Sequence, residues 1–190
     1  VSASLPNHPS LAVTAKAPTL TEIHDSHADF VWRSLQRLGV PQADLEDALQ
    51  EVFLVVHKRL KSFDHSSRVT TWLFGIALRV AAAQRRRAHR RYEQPSDAVF
   101  EATDASLAAN PERGALLRER VSQFEWALDR LGLERRAVFV MYEVEGISAV
   151  DIADMLELPV GTVYSRLSTA RAEFSAAVQR LEQRAARGKP

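Results

Sequence analysis

Thr162, Tyr164, Ser165, Arg166, Ser168, Thr169 and Arg171 share one side of a helix-length segment. Their chemistry suits a surface laid into a groove of DNA. Guanidinium groups serve both phosphates and guanine edges, and small hydroxyls let a helix come close to the bases. The other side of the segment is apolar, with Val163, Leu167 and Ala170 at helical spacing. Upstream, Ile152, Ala153 and Leu156 recur in the same way, and Leu158 and Pro159 interrupt the run between the two. Ser148, followed three residues later by Asp151, can satisfy the free amides at a helix start. Ile147 to Arg171 therefore reads as a helix-turn-helix, a pattern that an αα-corner in an ordinary helical core also produces.

A second block lies in the first half of the chain. From His65 to Tyr92 there is no acid, while Arg68, Arg79, Arg85, Arg86, Arg87, Arg90 and Arg91 follow Lys58, Arg59 and Lys61. The overall net charge of +1 conceals this. Such a stripe attracts a polyphosphate and releases its counterions, so affinity should fall steeply with salt. The same charges could instead form a solvated helix face. Phe63, Trp72 and Phe74 are interleaved, and aromatic rings among cations can stack on unpaired bases. Trp72 is also in line with Ile76 and Val80, the spacing of a core face, which makes packing the stronger reading for it.

These groups must be carried by helices. Leu45, Ala48, Leu49, Val52, Phe53, Val56 and Leu60 keep helical spacing, predicting an amphipathic helix from Asp44 to Lys61. Its outer face presents Asp47, Gln50, Glu51 and Leu54, an acidic stripe ending in an exposed apolar residue, beside the basic block. That arrangement suggests a protein partner as well as a solvated face. His24 to Leu38 reads as a preceding helix, ended by Gly39 and Pro41. A polar loop, Asp64 to Arg68, leads to a long helix from Thr70 to about Arg91. Leu117, Val121, Phe124, Leu128 and Leu131 restart the pattern, Gly132 closes it, and a helix from about Glu134 to Val144 leads through Gly146 to the helix-turn-helix.

Composition bounds the rest. With 190 residues, 46% of them hydrophobic, the chain can form one large or two small cores, and scarce Gly with abundant Ala, Leu, Arg and Glu favours helices. The expected class is all-α. Expected divisions are a disordered leader over residues 1–20, a helical domain over 21–92, a flexible acidic linker over 93–114, a second helical domain over 115–184 and a basic tail over 185–190. Without cysteine there is no disulfide or thiolate metal site, which fits a reducing cytoplasm. No apolar run is long enough to insert in a membrane. The histidines at 8, 24, 27, 57, 65 and 89 form no metal-ligand spacing, and neither a phosphate loop nor a nucleophile motif is present. No catalytic residue, metal or cofactor is expected.

The order of parts carries a resemblance. DLEDALQEVFLVVHKRL, then FDHSSRVTTWLFGIALRVAAAQRRRAHRR, an acidic linker, then ALDRLGLERRAVFVMYEVEGISAVDIADMLELPVGTVYSRLSTARAEF resembles a bacterial RNA polymerase sigma factor of the extracytoplasmic-function group, over residues 22–184. The resemblance implies a function: binding core RNA polymerase and directing promoter-specific initiation, in a stress or envelope-signal response. It places Asp47, Gln50, Glu51 and Leu54 on a coiled coil of the beta-prime subunit, and implies the beta flap as a further polymerase contact. Recognition and opening of the minus-ten element is implied for Arg68, Trp72, Arg79, Arg85, Arg86, Arg87 and Arg90. Reading of the minus-thirty-five element is implied for Thr162, Tyr164, Ser165, Arg166, Ser168, Thr169 and Arg171. The linker would thread toward the active-centre cleft, and an anti-sigma factor is the further implied partner.

Several positions depart from the family pattern. Arg79 stands where Asn is usual and Ala83 where Asp is common, so base choice at the minus-ten element does not transfer. Glu157 occupies the turn position that usually carries Gly, and Tyr164 and Thr169 replace basic residues. Ser148 to Arg171 holds three acids and two arginines, a weak electrostatic hold on DNA for a protein acting alone. A stand-alone helix-turn-helix regulator is the competing reading, but it leaves the basic aromatic block and the acidic stripe without use.

Overall fold

The structure is a computed structural model and describes residues 18–63, 67–91 and 111–187. It is built of α1 (Leu20–Arg37), α2 (Leu45–Arg59), α3 (Val69–Arg91), α4 (Pro111–Asp129), α5 (Leu133–Phe139), α6 (Ala149–Leu156) and α7 (Val160–Arg187), with no strand among the described residues. The first three helices pack on one another around Val31, Leu35, Leu45, Val52, Val56, Leu73, Phe74 and Ala77. In the second unit α7 is the backbone of the packing and meets α4, α5 and α6. Each fully buried aliphatic or aromatic side chain contributes roughly 1.5–3 kcal/mol. The core is continuous from one unit to the other, and α6 also packs on α3.

Helix ends show where expectation from sequence needs correcting. α1 begins at Leu20, four residues before the expected start. Thr19 accepts a hydrogen bond from the Glu22 amide at 3.3 Å, and the Glu22 carboxylate accepts from the Thr19 amide at 2.7 Å. That reciprocal box orders Thr19 and Leu20, which composition places in the leader; residues 1–17 lie outside the described set. Gly39, at φ 83°, ends α1 as expected. Gly132 does not close α4: it sits at φ −61° and ψ 147° as the residue before α5, and α4 has already ended at Asp129. Pro111 is the first residue of α4, where its missing amide hydrogen costs nothing. The acidic linker lies largely outside the described residues.

The helix expected from Glu134 to Val144 is α-helical only to Phe139 and continues as a π-turn over Val140–Val144. A π-turn adds one residue and shifts the register of the chain beyond it. Glu143 and Glu145 lie in and just after it, and each reaches an arginine of another element. Gly146, at φ 65°, then ends the segment, with the Ile147 amide bonded to the Met141 carbonyl at 2.9 Å.

In the turn between α6 and α7, Glu157 adopts φ 55° and ψ 46°, the left-handed region that disfavours any residue with a Cβ. Glu157→Gly is therefore expected to stabilise the fold by up to about 1 kcal/mol, seen as a thermal midpoint about 2–4 °C higher. A midpoint equal to or below the parent's would show that the Glu157 side chain makes a compensating interaction.

Candidate nucleic-acid and partner interfaces

Ser148 starts α6 as expected, its hydroxyl accepting from the Asp151 amide at 3.1 Å. Ile152, Ala153, Val163, Leu167 and Ala170 are buried between α6 and α7. That fixes the outer side of α7. Tyr164, Ser165, Ser168, Thr169 and Arg171 are exposed, and Thr162 and Arg166 are half-buried. The arginines are occupied: Arg166 pairs with Glu134 at 2.6 Å, and Arg171 donates to Glu143 at 2.6 Å while lying 5.5 Å over the Tyr142 ring. Thr169 donates to the Ser165 carbonyl at 3.1 Å. To meet DNA, both arginines must exchange a carboxylate for a phosphate or a base edge. Exposed ion pairs are worth little, so that exchange is cheap.

On α3, Arg68, Arg79, Arg86 and Arg87 are exposed, and the Arg68 carbonyl accepts the Trp72 amide at the helix start. The Arg90 side chain lies outside the described residues. Trp72 is half-buried, packed on the core and stacked with Phe63 at 4.7 Å between ring centroids. It thus serves packing while leaving part of its ring exposed.

On α2, Asp47, Gln50 and Leu54 face solvent, and Leu54 is 56% exposed. Glu51 differs from the other three: it turns toward α3, accepting from Arg87 at 3.1 Å and from Gln84 at 3.3 Å. The acidic stripe and the basic helix are therefore joined through one carboxylate. Beside the stripe runs a groove lined by His24, Glu46, Asp47, Leu49, Gln50 and Phe53.

Arg85 does not share the exposure of Arg86 and Arg87. It is half-buried where the two units meet, beside Arg136. Arg136 of α5, only 2% exposed, pairs with Asp129 and donates to the backbone carbonyls of Arg37 and Gln36 at the end of α1. Arg37 donates to Glu145 at 2.7 Å. Burial holds the Arg136 guanidinium below its ordinary pKa, opposed by Asp129. Glu125 is pushed above the usual carboxylate value by burial and then by Asp129, with Arg136 and Arg37 pulling the other way. One signal in the sequence pointed here. Arg136 falls on the same helical face as Leu133 and Val140, where an apolar residue is ordinarily required.

Among the described residues no helix is long and apolar enough to cross a membrane, and no group of His, Asp and Glu could hold a metal ion.

Comparison with known proteins bears on all of these surfaces. Residues 23–91 match the model of sigma-70 region 2, and residues 123–174 that of sigma-70 region 4. The chain is 33% identical over 144 residues to the RNA polymerase sigma-H factor of Pseudomonas aeruginosa, covering 73% of this chain and 75% of that protein. It is 32% identical over 157 residues to the ECF RNA polymerase sigma-E factor of Escherichia coli, covering 80% and 82%. Among solved structures, the sigma factor RpoE of Bartonella quintana, in complex with the anti-sigma factor NepR, aligns with a TM-score of 0.68 at 19% identity. That alignment covers 84% of this chain and 96% of that one. CnrH, in complex with the cytosolic domain of CnrY, aligns with a TM-score of 0.58 at 24% identity, covering 84% and 87%. A stand-alone regulator would not account for the region 2 match. With both regions present in order on one helical chain, the protein belongs to the sigma-70 family of RNA polymerase sigma factors, in the extracytoplasmic-function group, a family of initiation factors rather than enzymes.

Proposed function

We propose that this sigma factor docks on the beta-prime coiled coil of core RNA polymerase through Asp47, Gln50, Glu51 and Leu54, with the beta flap as a second contact. It recognises and opens the minus-ten element with Arg68, Trp72, Arg79, Arg85, Arg86, Arg87 and Arg90. It reads the minus-thirty-five element with the outer side of α7. The observation that carries the docking assignment is Leu54, a large apolar side chain left 56% exposed beside Asp47 and Gln50 on a helix whose other side is core. The protein works in the cytoplasm, in a stress or envelope-signal response, and is restrained by an anti-sigma factor, the kind of partner named for the sigma factor RpoE of Bartonella quintana.

Runoff transcription with core polymerase across genomic promoter fragments tests this reading. Discrete new start sites are expected. No transcript above core polymerase alone, together with a shift of promoter DNA by the free protein, would favour the stand-alone regulator instead.

Within α7 the roles separate. Phosphates are identical along DNA and base edges are not, so Arg171→Ala should weaken every promoter by a similar small factor. Ser165→Ala and Thr169→Ala should change which bases are preferred in a randomised minus-thirty-five library. The same selected consensus for both variants and the parent would remove Ser165 and Thr169 from the base-reading set.

A further inference from the structure

We propose that the groove between α2 and α3 seats one unpaired base of the opened minus-ten element and prefers guanine, with Arg59 of α2 anchoring the adjoining phosphate. α2 thereby joins the minus-ten surface, a step that rests on the promoter-opening function proposed above. Glu51, Val55 and Arg59 recur at every fourth residue along one edge of α2, and Ile76, Arg79 and Val80 line the groove from α3. Val55, Ile76 and Val80 supply an apolar floor. Arg59 and Arg79, one from each helix, are exposed at its rim. Glu51 lies at the end of the groove nearest Gln84 and Arg87, from which its carboxylate already accepts. The polar groups left for a ligand are therefore donors.

The two guanidinium groups set this groove apart. Arg37, Arg87, Arg166 and Arg171 are each matched by a carboxylate, whereas among the described residues no ion pair or hydrogen bond engages the side chain of Arg59 or Arg79. Like charges lining one groove repel, and an anion between them relieves the repulsion. Size then selects the occupant. The groove holds about 190 Å³, below the roughly 300 Å³ at which pockets for free drug-sized ligands begin. A whole free nucleotide is too large for it, but a single base tethered through its strand is not, because the backbone supplies the rest of the binding. The donors select the base edge. Guanine presents O6 and N7 side by side, two acceptors that the Arg79 guanidinium can meet with two hydrogen bonds. Adenine has an amino group in place of O6, which sets donor against donor. A base stacked in the duplex cannot enter a groove between two helices, so the contact forms only once the strands part.

Holoenzyme assembled from core polymerase and the full chain can be titrated with short fluorescent oligothymidines carrying one central guanine, adenine or abasic site, with core polymerase alone as the blank. The parent should bind the guanine probe about tenfold more tightly than the adenine probe. Arg79→Gln should reverse that order, since an amide matches adenine as a guanidinium matches guanine. Arg59→Ala should weaken all three probes and flatten the slope of log affinity against log salt by about 0.7. Arg59→Lys keeps the charge at the end of α2 and should restore the slope. A purely structural role for either arginine would move neither the base order nor the slope. Equal binding of the guanine and adenine probes by the parent, or the parent's order in Arg79→Gln, would overturn the base preference. An unchanged slope in Arg59→Ala would overturn the phosphate anchor. After either result, loss of binding on replacing Arg79, Arg86 and Arg87 together by Ala would leave the minus-ten assignment standing and remove only the groove. Parent-like binding by that triple variant would remove both.

Discussion

Leu54→Asp should leave the helical fold intact and remove most of the affinity for core RNA polymerase. Leu54 is 56% exposed and belongs to no core, so its replacement by a charged residue costs the folded state little. At a docked interface the same side chain would be the apolar anchor among polar neighbours, and truncating such an anchor typically costs about 2 kcal/mol or more. The expected loss is thus about thirtyfold or greater in a fluorescence titration of core polymerase, with thermal midpoint and circular dichroism unchanged. Equal affinity for parent and variant would move the docking surface elsewhere. Glu51→Lys should show a mixed effect, because Glu51 also holds Arg87 and Gln84 on α3. Weakened polymerase binding would then be accompanied by a loosened α2–α3 contact.

The second large effect is expected on α3. Replacing Arg79, Arg86 and Arg87 together by Ala removes three exposed guanidinium groups without opening the core. If each neutralises a phosphate of the promoter duplex, the slope of log affinity against log salt should flatten by about 0.9 per contact, up to about 2.7 in all. Holoenzyme binding at low salt should fall more than at high salt, where parent and variant converge. Filter binding between about 50 and 200 mM salt measures both. An unchanged slope would mean that these arginines face solvent in the bound state. Arg85 is left out of this set because its guanidinium is turned into the junction between the units.

The helices were legible in the sequence because each buries one stripe. Val52, Phe53 and Val56 on α2, and Val163, Leu167 and Ala170 on α7, announce their inner faces by spacing alone. The Ser148 cap and the strained turn at Glu157 were also visible, since both are set by residues close in sequence. Register beyond Phe139 was not: a π-turn replaces one set of backbone hydrogen bonds by another, and no side-chain pattern marks the exchange. Nor could the partners that Arg136 meets in the junction be foreseen, although its place on an apolar face marks it. Arg136 meets carbonyls about a hundred positions away, and nothing in local spacing relates them. The same blindness affected the arginine run, where Arg85, Arg86 and Arg87 look alike in sequence and differ only once a second unit packs beside the first of them.

α7 runs unbroken for 28 residues, with the groove-facing side chains near its start and Phe174 and Ala177 packed further along. At 1.5 Å per residue it is a rod about 42 Å long, and a helix without a break transmits rotation from one end to the other. The aim of Ser165 and Thr169 is therefore governed by a bearing about 8–14 Å away, where Phe174 stacks on Phe139 and meets Phe124 edge-on. Small changes in those rings would steer the tip as the shaft of a key steers its teeth.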